Sequence, residues 1–145
     1  MKQFFSRVLA SMVTVALAGC TVMTTISSGQ PNVAISIEDK YYNTMPISDK
    51  FSMTTFGNYE FEATKPGREP FYGILPLRFN GLNLAFDILF FPPSALINLR
   101  QVYPYYQFEI EKRVILFKDK EEDGWQEFRP TQAETTRAQQ YFLGR

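Results

Sequence analysis

One cysteine, Cys20, stands in a chain of 145 residues that contains no histidine. A lone thiol has no partner for a disulfide within the chain, even in an oxidising compartment. Without imidazole, the commonest general base near neutral pH, the commonest zinc ligand and every imidazole-relayed triad are missing. Serine chemistry lacks its usual settings, because neither Gly-x-Ser-x-Gly nor Ser-x-x-Lys occurs. Phosphate-cradling glycine loops and clustered metal carboxylates are missing too, so the sequence implies no cofactor, no metal and no catalytic centre.

What remains are carboxylates. Glu60 and Glu62, like Glu109 and Glu111, stand two apart in alternating stretches, which on a strand points both side chains the same way, about 6.5–7 Å apart. A glycosidase can use such a pair, but each lies opposite an apolar face and reads as the wet side of a sheet. Asp87 is the only ionisable residue between Gly81 and Leu99 and is flanked by Phe86 and Ile88. It must be exposed at an edge, hydrogen-bonded, paired with a residue such as Arg78 or Arg100, or shifted in pKa. On a helix Asn83 falls on the same face, one turn earlier. The favoured reading of Asp87 is a structural carboxylate that orients the segment; a polar site facing a ligand, shared with Asn83, is the competing one.

The position of Cys20 carries more information than its thiol. Lys2 and Arg7 precede an uncharged stretch from Val8 to Ala18, the charged and apolar regions of a secretory signal. At about 1.5 Å rise per residue that stretch covers roughly half of a 30 Å hydrocarbon core, too little for a settled span. Leu17-Ala18-Gly19-Cys20 then resembles the lipobox of bacterial lipoproteins. The resemblance implies cleavage after residue 19, a diacylglycerol thioether on Cys20 and, in many such proteins, acylation of the freed amine. One acyl chain holds a protein only marginally, whereas two or three make a durable anchor. Thr21 and Val22 follow where an aspartate would imply retention at the inner membrane, so the resemblance implies the periplasmic face of the outer membrane.

Residues 1–19 are thus expected to be removed, 20–31 to form a lipidated flexible tether, and 32–145 to form one β-rich domain. The tether expectation rests on the small, polar, Gly/Pro-punctuated run "TVMTTISSGQP". The 15 basic side chains balance 15 acidic ones, and cleavage removes Lys2 and Arg7, leaving a slight acidic excess that points away from nucleic acid. An aromatic content of 16% argues against disorder for most of the chain.

Strands are expected where apolar and polar residues alternate: Val33-Ile35-Ile37, Phe51-Met53-Thr55, Tyr59-Phe61-Ala63, and a hairpin of "YQFEIE" with "VILFKD" around Lys112-Arg113. Asp39 to Pro46 reads as a turn region, and Pro76 marks an edge or a bulge in "FYGILPLRF". Gly81 to Leu99 reads as an apolar helical segment ended by Pro92-Pro93. Asp87 near its centre and the proline pair argue against a membrane span, so residues 30–145 alone are expected to be soluble and folded. Lys118 to Asp123 reads as a solvated loop, and Thr131-Gln132-Ala133-Glu134 as a capping box opening a helix over 131–143, with Ala138, Tyr141 and Phe142 inward. The fold class expected is mainly β (α+β): a small antiparallel β-sandwich-like domain with a short apolar helical segment and a C-terminal helix.

The strands "VAISIE" and "YEFEATKPG", the proline-marked turn "TMPIS" and the segment "NLAFDILFFPP" also resemble small PEGA-like and YceK/YidQ-type envelope lipoproteins, although the Pro-Glu-Gly-Ala signature is absent. That resemblance implies an envelope protein without a settled catalytic activity. Phe90-Phe91 and Tyr103-Pro104-Tyr105-Tyr106 read first as core, then as a partner-binding or lipid-contacting patch, then as sugar-stacking platforms. The function expected is a non-catalytic interaction or structural protein, lipid-anchored to the membrane through Cys20 and docking onto an envelope partner. The alternative is a periplasmic module binding a lipid, glycan or hydrophobic small molecule.

Overall fold

The computed structural model describes residues 21–52, 58–79 and 100–144. The chain is mainly β, with antiparallel sheets and one C-terminal helix. Among the described residues eleven strands run in order: β1 (Thr21–Ser28), β2 (Ala34–Ile37), β3 (Lys40–Tyr42), β4 (Ile47–Ser52), β5 (Glu60–Thr64), β6 (Phe71–Ile74), β7 (Leu77–Phe79), β8 (Arg100–Val102), β9 (Tyr105–Glu109), β10 (Val114–Lys118) and β11 (Gln126–Phe128). Helix α1 (Gln132–Leu143) closes the described chain. One sheet has the order β11-β10-β9-β1-β4, a second the order β3-β2-β5-β6, and β7 and β8 form a separate two-stranded ribbon.

The strand run Thr21–Ser28 corrects the flexible tether. Val22, Thr24, Thr25 and Ile26 are β-branched and suit a pleated surface, and they alternate so that Val22, Thr24 and Ile26 face inward. Ile26 is fully buried and Thr24 nearly so. β1 pairs antiparallel with β4, Thr21 opposite Ser52, and parallel with β9, Thr25 opposite Tyr105. The hydroxyls of Ser27 and Ser28, residues read as linker, donate to the carbonyls of Tyr106 and Phe108 at 3.1 and 3.2 Å. The domain therefore takes in Thr21–Ser28, ahead of the expected start at residue 32.

The two larger sheets pack face to face. Val33, Ile35 and Ile37 alternate into the core as their spacing requires, and so do Tyr106, Phe108 and Ile110 from the expected hairpin. Phe61 of one sheet meets Phe108 of the other edge to face at 5.1 Å and Phe71 at 5.0 Å, a geometry that adds about 0.5–1.5 kcal/mol beyond area burial. Gly73 lies opposite Phe61 in the β5-β6 ladder, and a Cβ there would stand 2.8 Å from that ring and 2.5 Å from Pro130. Only hydrogen fits.

Along one side the sandwich is pinned by charge. Lys40 Nζ on edge strand β3 donates to Asp49 Oδ2 at 2.8 Å and to the Lys50 carbonyl at 2.6 Å on edge strand β4. The Tyr42 hydroxyl donates to the same carboxylate at 2.7 Å. Both edges are thereby tied to each other. The expected turn region around Asp39 instead holds a tight reversal at Glu38-Asp39, with Ile37 opposite Lys40 and the short strand β3 continuing the sheet. At Pro76 the chain leaves the second sheet and enters the β7-β8 ribbon, so the proline ends a strand as well as interrupting the ladder.

Helix α1 starts where expected. The Thr131 hydroxyl accepts from Glu134 N–H, and the Glu134 carboxylate accepts from Thr131 N–H at 2.7 Å, satisfying two orphan donors. Its inner residue Ala138 is fully buried, and Phe142 lies against Tyr72 at 6.3 Å. The Thr135 hydroxyl donates to the Tyr72 carbonyl at 3.4 Å. The helix covers the outer face of β5 and β6. Among the described residues no helix is long and apolar enough to cross a membrane.

Candidate functional site

Three of the sequence-derived site residues, Cys20, Asn83 and Asp87, lie outside the described residues, as do Phe90 and Phe91. Arg78, considered as a partner for Asp87, pairs with other groups: its Nη1 contacts the Asp119 carboxylate and its Nη2 donates to Gln101 Oε1 at 3.0 Å.

The carboxylate pairs are not the wet side of a sheet as a whole. Glu60 is buried at 6% exposure because α1 packs over it, and its Oε1 accepts from Arg137 Nε at 2.8 Å. Glu62 accepts from the Tyr72 hydroxyl at 2.7 Å. Burial first, and then this carboxylate, push the Tyr72 phenol up to about 12. Glu109 is also buried, under Gly29, where a Cβ would stand 1.9 Å from Glu109 Oε1. It accepts from Gln107 Nε2 at 2.7 Å. Only Glu111 is exposed, bonded to Lys65 at 2.9 Å and near Arg68 at 3.6 Å, and the Lys65 hydrogen bond holds its carboxyl below the usual range. The four carboxylates thus serve four separate contacts.

The tyrosine run divides in the same way. Tyr106 is core: its hydroxyl accepts from Tyr103 N–H at 2.8 Å and donates to the Pro76 carbonyl at 2.7 Å. Burial drives its phenol well above the ordinary value, so it stays neutral and locks the end of β6 against the start of β9. Tyr103 leans on Phe117 at 4.4 Å, and its phenol is raised by burial and by the Asp119 charge.

At one end of the sandwich Arg78, Gln101, Tyr103 and Asp119 lie together. Arg78 and Gln101 face each other across the β7-β8 ladder. Gln101 is buried, and among the described residues its Nε2 and the Arg78 Nε have no hydrogen-bond partner. Beside them Arg78, Phe79, Tyr103 and Asp119 line a depression of about 310 Å³. This arrangement offers hydrogen-bond donors and a guanidinium paired with a carboxylate. Sequence reading singled out Arg78 and Tyr103 only for other roles, and it carried no signal for Gln101 or Asp119, which are brought in by the ribbon and by the end of β10. At the opposite end Arg68, Glu69, Ile110, Glu111 and Arg113 line a depression of about 230 Å³. Among the described residues no three His, Cys, Asp or Glu side chains converge where a metal ion could sit. The chain matches no protein-family model, no curated protein and no solved structure.

Proposed function

We propose that this chain is a lipid-anchored envelope protein whose β-sandwich serves as a non-catalytic interaction module. The observation that carries the reading is the run Leu17-Ala18-Gly19-Cys20 placed behind an n-region and an apolar stretch. The described chain is already in a strand at Thr21, the residue after that cysteine, so acyl chains on Cys20 would hold the sandwich close to the membrane. The lack of any histidine in the chain and the separate structural duties of Glu60, Glu62, Glu109 and Glu111 support a role in binding rather than turnover. The periplasmic face of the outer membrane is the site of action proposed, from Thr21 and Val22 after the cysteine, and an envelope protein is the partner proposed. In cells, globomycin should accumulate the precursor, and Cys20→Ser should abolish both lipid labelling and sensitivity to the drug. Unchanged maturation of the Cys20→Ser chain would overturn the reading.

A further inference from the structure

Buried donors without acceptors are rare in folded proteins, since each has given up water without replacing it. Among the described residues three buried side-chain polar atoms lack a partner, and two of them flank one hydrogen bond: Arg78 Nε and Gln101 Nε2 lie on either side of the 3.0 Å contact from Arg78 Nη2 to Gln101 Oε1. Gln101 is 1% exposed, so solvent does not serve its amide. Pairing of β7 with β8 sets the two residues opposite each other. The same guanidinium turns Nη1 to the Asp119 carboxylate, and Arg78, Asp119, Tyr103 and Phe79 together wall the depression of about 310 Å³. Sites that hold a small molecule start at about 300 Å³. Phe79 is 63% exposed.

We propose that this depression binds one pyranose ring of an uncharged sugar. The walls decide the class of ligand. Asp119 offsets the charge of Arg78, so a carboxylate or phosphate brought to the guanidinium also meets a like charge, and an ammonium brought to Asp119 meets Arg78. A wholly apolar ligand would strip these groups of water and return nothing. Vicinal hydroxyls suit them, because each both donates and accepts: one accepts from the Arg78 guanidinium while its neighbour donates to Asp119. The Tyr103 phenol, raised by burial and by the Asp119 charge, stays protonated and offers a third group that works both ways. A bond taken from Arg78 Nε or Gln101 Nε2 displaces no protein partner, and Arg78, its side chain 30% exposed, can turn that edge toward the ligand. The exposed Phe79 ring receives the C–H face of the sugar. The inference goes beyond the membrane anchor proposed at Cys20 and does not depend on it.

Saturation-transfer difference NMR on the full chain, held in a detergent without a sugar headgroup, tests the site with glucose, galactose and N-acetylglucosamine beside the charged glucuronate and glucosamine. At least one uncharged sugar should receive saturation and bind with a dissociation constant of about 1 mM, the scale set by a ligand of about a dozen heavy atoms. Both charged sugars should bind at least about ten-fold more weakly. Phe79→Ala should weaken binding about five-fold by removing the stacking ring, and Lys112→Ala, in the turn between β9 and β10, should leave it unchanged. Asp119→Asn keeps the shape of the wall but uncovers Arg78, so it should reverse the preference and favour glucuronate, a readout that a merely structural role would not move. Circular dichroism establishes that each variant is folded. Tighter binding of oligosaccharides than of single sugars supports the site with a glycan chain as the source, and equal affinity supports it with a free sugar. On folded protein, no saturation of any uncharged sugar, tighter binding of glucuronate by the unaltered chain, or binding indifferent to both Phe79→Ala and Asp119→Asn overturns it.

Discussion

Arg137 of α1 reaches Glu60 of β5 with Nε 2.8 Å from Oε1, and the two side chains differ in exposure, 58% for the arginine side chain against 8% for that of the glutamate. The helix thus closes over a buried acid and supplies the cation that acid needs. Breaking a fully buried pair costs more than its net contribution, because a charge is left behind in low dielectric.

Arg137→Ala should destabilise the domain by about 1–2 kcal/mol, the lower part of the range for an unpaired buried polar group, because solvent reaches the arginine side. Urea unfolding of Arg137→Ala, Glu60→Gln and the double variant measures it. The double variant should be more stable than the sum of the singles predicts.

A chain beginning at residue 30, expected from sequence to fold, should not. It lacks β1, which joins β4 to β9 inside the five-stranded sheet, and it exposes the inner surface that Ile26 covers. Far-UV circular dichroism and urea titration should show a cooperative transition for a chain beginning at Thr21 and none for one beginning at Gln30.

Gly73→Ala should cost about 1–3 kcal/mol, the range for forcing a methyl into a packed interior. Its Cβ meets the Phe61 ring at 2.8 Å and Pro130 at 2.5 Å. Pairing it with Phe61→Leu, which vacates the ring position, should recover less than the ring itself contributes, so a fully restored melting temperature would contradict the packing described.

Stability should also fall at both extremes of pH, for opposite reasons. Hydrogen bonds from Lys40 and Tyr42 hold the Asp49 carboxyl down at about 2; its contribution is present above the unfolded value near 4 and is lost as pH falls toward 2. With that side chain 35% exposed, solvent limits the effect to less than about 1 kcal/mol. The Tyr72 phenol, raised by burial to about 12, stabilises fully below pH ~10 and loses that contribution as pH climbs from there toward 12. Carboxyl NMR should place the Asp49 midpoint near 2 and move it upward in Lys40→Met. Tyrosinate absorbance at high pH should rise in step with loss of near-UV dichroism, which Tyr72→Phe should delay.

Several elements were legible along the chain because their causes are local. The capping box at Thr131 and Glu134 needs only four consecutive residues, and the alternation of Val33, Ile35 and Ile37 or of Tyr106, Phe108 and Ile110 needs only that a strand have one dry side. Tertiary structure decided the rest. Whether Thr21–Ser28 is a tether or a strand depends on hydrogen-bond partners at Ile47–Ser52 and Tyr105–Phe108, remote in sequence, and composition alone weighed its serines and Gly29 too heavily. Alternation assigned Glu60 to the face away from the core, but whether that face meets water depends on α1, which returns to cover it from the far end of the chain. A strand's pattern identifies its two faces; what is packed on each is settled only by elements brought together in space.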